Sequence, residues 1–129
     1  MDAYHASESS KVLVRTNIAT QNFSNLERLI FAITDDDVVT FERLSIPLED
    51  LANLEFSGGA NVLNFAIEQE RASIVQHLAD LTSNRPEIRR SLLEHRFSQD
   101  RVSAIHQVMT IGNRTLINTL LQDFGASLD

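Results

Sequence analysis

Three stretches of this chain carry the same apolar skeleton at the same offsets, and this repetition limits the possible folds more than any other feature. Leu29, Leu63 and Ile105 are followed three residues later by Ala32, Ala66 and Val108, and four later by Ile33, Ile67 and Met109. Twelve later come Phe41, Val75 and Ile117, and fifteen later Leu44, Leu78 and Leu120. Spacings of three and four place side chains on one face of a helix. A polar break divides each unit: Thr34 to Asp37, Glu68 to Arg71, and Gly112 with Asn113. Each unit therefore predicts two short helices joined by a tight turn. A hairpin of about two dozen residues cannot bury its own apolar face, so it must stack on neighbours. The units recur at 34 and then 42 residues, inside the window of stacked repeats. The expected fold is all-α: a helical-hairpin solenoid of about three repeats over residues 23–129.

The connectors add detail. Between the first two units, Pro47 with Leu48 and Leu51 predicts one helical turn, and Ser57-Gly58-Gly59 a reversal. The second connector is longer by eight residues. In it Pro86 can open an extra helix carrying Ile88, Leu92 and His95 on one face, through about Arg96. Arg85, Arg89, Arg90, Arg96 and Arg101 make this the one locally basic segment. Residues 1–22 show no period; they are expected to be a flexible segment or a cap, with Val12 to Val14 and Ile18 as strand or helix.

Composition excludes several functional classes. With no cysteine there is no disulfide framework, thiolate nucleophile or cysteine-ligated zinc. No apolar run approaches the roughly 18 residues of a membrane span, and the polar start predicts no secretory signal. A cytoplasmic protein is the expectation, in a host cytoplasm if the chain is a bacterial effector. Net charge is −7, and residues 1–60 hold ten acids against four bases. That balance argues against nucleic acid, whose binding rests on clustered Lys and Arg. His5, His77, His95 and His106 show no metal-ligand spacing, and the Asp35-Asp36-Asp37 run lacks the spacing of a calcium loop. No nucleophile elbow or phosphate-cradling glycine loop is present. A cofactor, a metal and an enzymatic role are therefore not expected.

A period near 33 with two helices per unit resembles the ankyrin repeat, whose pattern runs G-x-T-P-L-H-x-A-A-x-x-G, then I-V-x-x-L-L, then G-A. In the third unit Ser103-Ala104-Ile105-His106 stands at T-P-L-H and Val108-Met109 at A-A. Gly112 stands at the turn glycine, Leu116-Ile117 and Leu120-Leu121 in the second helix, and Gly125-Ala126 at the close. In the second unit Gly59 leads, Asn61-Val62-Leu63-Asn64 stands at T-P-L-H, and Ala66-Ile67 and Ile74-Val75 follow. The first unit keeps the apolar skeleton alone. The proline is missing throughout, and Asp36 and Glu70 stand where the turn glycine would be. The resemblance implies structural roles for His106, Gly112 and Gly125, with His106 tying its turn to the neighbouring one.

It also implies a non-catalytic protein–protein interaction module, an adaptor or regulator that binds a protein partner across its concave face. By register the partner-facing residues are Asp35, Asp36, Asp37, Glu68, Gln69, Glu70, Arg71, Thr110 and Ile111. Their acidity predicts a groove selecting a basic peptide or patch. The apolar Ile111, Leu116, Leu121 and Phe124 suggest a C-terminal end that continues into further chain or packs on another copy. The competing reading is a small all-α bundle, ligand-binding or less readily enzymatic, with the first unit packed against the third.

Overall fold

A computed structural model describes residues 13–15 and 23–126. Three helical hairpins follow one another: α1 (Phe23–Thr34) with α2 (Val38–Arg43), α4 (Val62–Glu68) with α5 (Ala72–Leu81), and α7 (Ala104–Ile111) with α8 (Arg114–Asn118). The last helix widens into a π turn over Thr119–Asp123. The first connector holds α3 (Leu48–Ala52) and a short turn at Ser57–Gly59, and the second holds α6 (Pro86–Glu94). The chain is thus mostly helical, with eight α-helices among the described residues.

The helical content agrees with the all-α expectation, to which the structure adds one small ribbon. β1 (Leu13–Arg15) pairs antiparallel with β2 (Glu55–Phe56), Leu13 opposite Phe56 and Arg15 opposite Glu55. Of the N-terminal alternatives, the strand is the one formed at Leu13–Arg15; residues 1–12 and 16–22 lie outside the described residues. Beside the ribbon, Phe97 and Val102 form an isolated bridge, and the Ser98 amide donates to the Gly58 carbonyl at 3.0 Å. The two connector tips are therefore neighbours.

The turn inside each hairpin explains why the units stay in register. Asp36 and Glu70 both have φ of +56°, and Gly112 has +78°. All three occupy the same offset, and all three are left-handed. In the first two turns the reversal is sealed by paired bonds. Asp36 N donates to Ile33 O and Asp37 N to Ala32 O; Glu70 N donates to Ile67 O and Arg71 N to Ala66 O. This is the Schellman arrangement, which satisfies two orphan carbonyls at a helix end. The third turn makes the simpler single bond, Gly112 N to Val108 O at 2.9 Å. A carboxylate residue here carries about 1 kcal/mol of left-handed strain that glycine avoids.

The larger interfaces join the helices of one hairpin, or consecutive hairpins: α2 with α5, α4 with α7, and α5 with α8. None of them joins the first hairpin to the third. Middle helix α4 is covered on all sides, so Val62 to Ile67 are buried one after another, as expected of a helix apolar all round. Its buried polar members are satisfied. Asn61 and Asn64 form a reciprocal capping box, each side-chain oxygen accepting the other's backbone amide at 2.8 and 3.0 Å.

Helix α6 is bolted under the second and third hairpins. Ile88 and Leu92 enter the core, and the Leu92 carbonyl accepts from Asn61 Nδ2 at 3.1 Å. Arg89 reaches the C-terminus of α5, donating to Ala79 O at 2.6 Å and to Thr82 Oγ1 at 3.1 Å. A cation there meets the negative end of the helix dipole. His95 just past the helix donates through Nε2 to Gly59 O at 2.6 Å. Arg85 bridges the first turns of α3 and α6 through Glu49 and Glu87, each at 2.9 Å.

Candidate interaction surface

The first two hairpin turns each bond to the hairpin that follows, and the turn side chains divide between such internal bonds and exposure to solvent. Asp37 is the N-cap of α2: its carboxylate accepts from Thr40 N at 3.1 Å and from Thr40 Oγ1 at 2.7 Å. The Thr40 hydroxyl, more than any other neighbour, holds the Asp37 carboxyl below its ordinary range. Asn113 caps α8 in the same manner, accepting from Leu116 N at 3.2 Å. The equivalent residue before α5 is Arg71, which has only donors to offer and cannot cap.

Asp36 fills that gap from the preceding hairpin. Its Oδ1 accepts from Ile74 N at 3.0 Å, the third amide of α5. The left-handed backbone at Asp36 and the cap on the next hairpin thus belong to one residue. Glu70 repeats the forward reach, accepting from Asn113 Nδ2 at 3.1 Å. A turn side chain of each of the first two units therefore meets the start of the second helix in the next. In the third unit Gly112 has no side chain to extend.

Of the residues expected to face a partner, Asp35, Asp37, Glu68, Glu70 and Thr110 are exposed; Asp36, Gln69, Arg71 and Ile111 are partly covered. The register does bring the first two turns against the second helices that follow. It does not leave all their acids available, since Asp37 caps its own helix and Asp36 and Glu70 hold hydrogen bonds to the next hairpin. Arg71 sits half-buried among them, and its Nε is enclosed with no hydrogen-bond partner.

The structural residues act somewhat differently from the expectation. His106 Nδ1 lies 2.8 Å from Ser103 Oγ, a bond inside its own turn. The bond to the neighbouring unit is made by Gln107, whose Nε2 donates to Asn64 O at 2.9 Å. Gly112 and Gly125 both have the positive φ their places demand. After Gly125 the Ala126 amide closes back on Leu120 O at 2.8 Å.

The C-terminal face is less apolar than the sequence suggests. Leu116 and Phe124 are buried, and the Arg89 guanidinium stacks 5.4 Å over the Phe124 ring. Ile111 and Leu121 are partly covered, while Met109 is 52% exposed. Its counterparts Ile33 and Ile67 are fully enclosed.

Sequence reasoning missed Phe31, on α1 one turn before Asp35 and 64% exposed. Its counterpart Phe65 is buried, stacked on Phe56 with centroids 4.7 Å apart and planes 6° from parallel. Phe31's place off the Leu29, Ala32 and Ile33 stripe gave no signal, since Phe65 stands at the same offset and is buried. Among the described residues no three His, Asp or Glu side chains gather as a metal site, and no helix is long and apolar enough to cross a membrane. No protein-family model, curated protein sequence or solved structure matches the chain.

Proposed function

We propose that this chain is an ankyrin-like stack of three helical hairpins acting as a non-catalytic protein-interaction module of the cytoplasm. Its partner is a basic segment with an apolar side chain, engaged at the edge formed by the hairpin turns. The observation that carries this reading is Phe31, a largely exposed aromatic beside the exposed carboxylate of Asp35. An aromatic anchor supplies contact area, and a nearby charge steers the partner and fixes its orientation. The stacked reading draws its support from the common left-handed turn offset and from larger interfaces between hairpins that join consecutive units. The competing bundle reading needs the first hairpin packed on the third.

Peptide display with the full chain as bait tests the proposal, followed by anisotropy titration of the enriched sequences. Enriched peptides should combine Lys or Arg with Leu, Phe or Met. Phe31→Ala should weaken them about tenfold, the effect of losing a modest hot spot. Asp35→Lys with Glu68→Lys should slow association and flatten its salt dependence. Enrichment without charge preference, or affinity unchanged in both variants, refutes the assignment.

A further inference from the structure

The first helices end at an acidic edge; at the opposite end of α7 the local charge reverses. A cavity of about 610 Å³ opens between α6, the first turn of α7 and the closing turn at Phe124 to Ala126. Its volume lies in the range of ligand sites. Leu93, Ile105 and Phe124 supply apolar lining, and Arg90, Arg96 and His106 supply polar groups.

The arginines of this wall have distinct duties. Arg89 is committed to the C-terminus of α5 and to the Phe124 ring, so it builds the site rather than serving it. Among the described residues Arg90 meets only Glu94 on its own helix, Nε to Oε2 at 3.5 Å, with both side chains more than 70% exposed. Water screens such a pair readily, and an incoming carboxylate can displace it. Arg96 donates through Nη1 to the Arg101 carbonyl at 3.1 Å, which positions the guanidinium, and it forms no ion pair among the described residues. Among the described residues Glu94 is the one acid in the lining. On a chain of net charge −7, this is a local reversal of field.

We propose that this cavity is a second binding site, for a short acidic peptide segment carrying an apolar side chain. Its carboxylates pair with Arg90 and Arg96, where fork-shaped guanidinium donors match them two oxygens at a time. Its apolar side chain rests on Leu93, Ile105 and Phe124. A polyanion such as nucleic acid fits less well, because phosphate-backbone binding draws on many bases and the rest of this surface is acidic. The site lies away from the hairpin turns and stands or falls independently of the basic-partner reading.

The test uses the full chain and a fluorescein-labelled peptide alternating Asp and Glu with Leu and Phe, read by anisotropy at low salt. A peptide with Lys in place of each acid serves as control. The acidic peptide should bind saturably and the control should not. Arg90→Glu with Arg96→Glu should weaken binding at least about tenfold, since attraction becomes repulsion at both positions. Its melting temperature should stay close to that of the parent, because the bonds lost to Glu94 and to the Arg101 carbonyl are both at the exposed surface. In the unaltered chain, the acidic peptide should also shift the His106 ring resonances. Absence of saturable binding, equal affinity in the double variant, unshifted His106 signals, or equally tight binding of an oligonucleotide of the same charge would each overturn the proposal.

Discussion

Replacing the turn carboxylate of the first two hairpins by glycine should have opposite consequences at Asp36 and Glu70. Both residues are left-handed at φ +56°, so glycine relieves about 1 kcal/mol of backbone strain at either site. What differs is the side-chain bond that is lost. Asp36 accepts from Ile74 N, an amide at the start of α5 whose own N-cap, Arg71, makes no side-chain cap. Removing an N-cap acceptor costs about 1 kcal/mol and up to about 2 where no substitute exists. Glu70 accepts from Asn113 Nδ2 at an exposed site, a bond that water replaces readily. Asp36→Gly should therefore be neutral to destabilising by about 1 kcal/mol, and Glu70→Gly stabilising by about 0.5 kcal/mol. Asp36→Ala, losing the cap without relieving the strain, should be the worst of the three, at about 2 kcal/mol. Urea unfolding followed by circular dichroism at 222 nm gives each value from the midpoint and slope. If Asp36→Gly stabilises as much as Glu70→Gly, the reach of Asp36 into the next hairpin contributes nothing and the reasoning fails.

Acid should weaken the fold through a small set of carboxylates. Asp37 is held low first by the Thr40 hydroxyl, and Glu49 and Glu87 by backbone hydrogen bonding in their own helix turns and then by Arg85. Depressed groups stabilise the native state above their unfolded values of 3.8 and 4.5, and that stabilisation disappears as pH falls through the lower native values. Melting temperature should therefore be flat from neutral pH to about 5 and decline below it, with Arg85→Gln shrinking the decline; an unchanged profile in that variant contradicts the assignment. Asn64→Ala leaves the buried Asn61 amide without its acceptor and opens a void, so it should destabilise by about 2–3 kcal/mol in the same urea assay. A loss below about 0.5 kcal/mol would mean that water or a rotated side chain replaces the box.

The parts of this structure legible in the sequence are those fixed by local chemistry. Leu29, Leu63 and Ile105 mark three helices because helical period is a property of a dozen neighbouring residues. Pro86 marks α6 because it fits a first helical turn. Asp36 and Glu70 could be aligned with Gly112 by offset, yet nothing local says that they adopt the glycine conformation. That conformation comes with the paired bonds of the turn. Tertiary partners were equally invisible. The pairing of Leu13 with Phe56 joins segments some forty residues apart, and Phe31 differs from Phe65 only in what lies over it. The apolar end inferred from Leu116 and Phe124 shrank because the inserted α6 brings Arg89 over Phe124.

The same distinction decides how the acidic edge must be probed. Reversing the whole run Asp35 to Asp37 would alter binding and folding together. Asp37 caps α2 and Asp36 caps α5, so two of the three charges are structural, and a lysine at either site puts a cation against helix N-terminal amides. Any loss of partner binding in such a variant would have two explanations. Asp35 and Glu68 are exposed at the ends of α1 and α4. A charge change there alters the field at the edge while leaving both caps in place. If affinity follows Asp35 and Glu68 with stability unchanged, the edge is a recognition surface. If it follows Asp36 alone together with the urea midpoint, the edge is the seam of the stack.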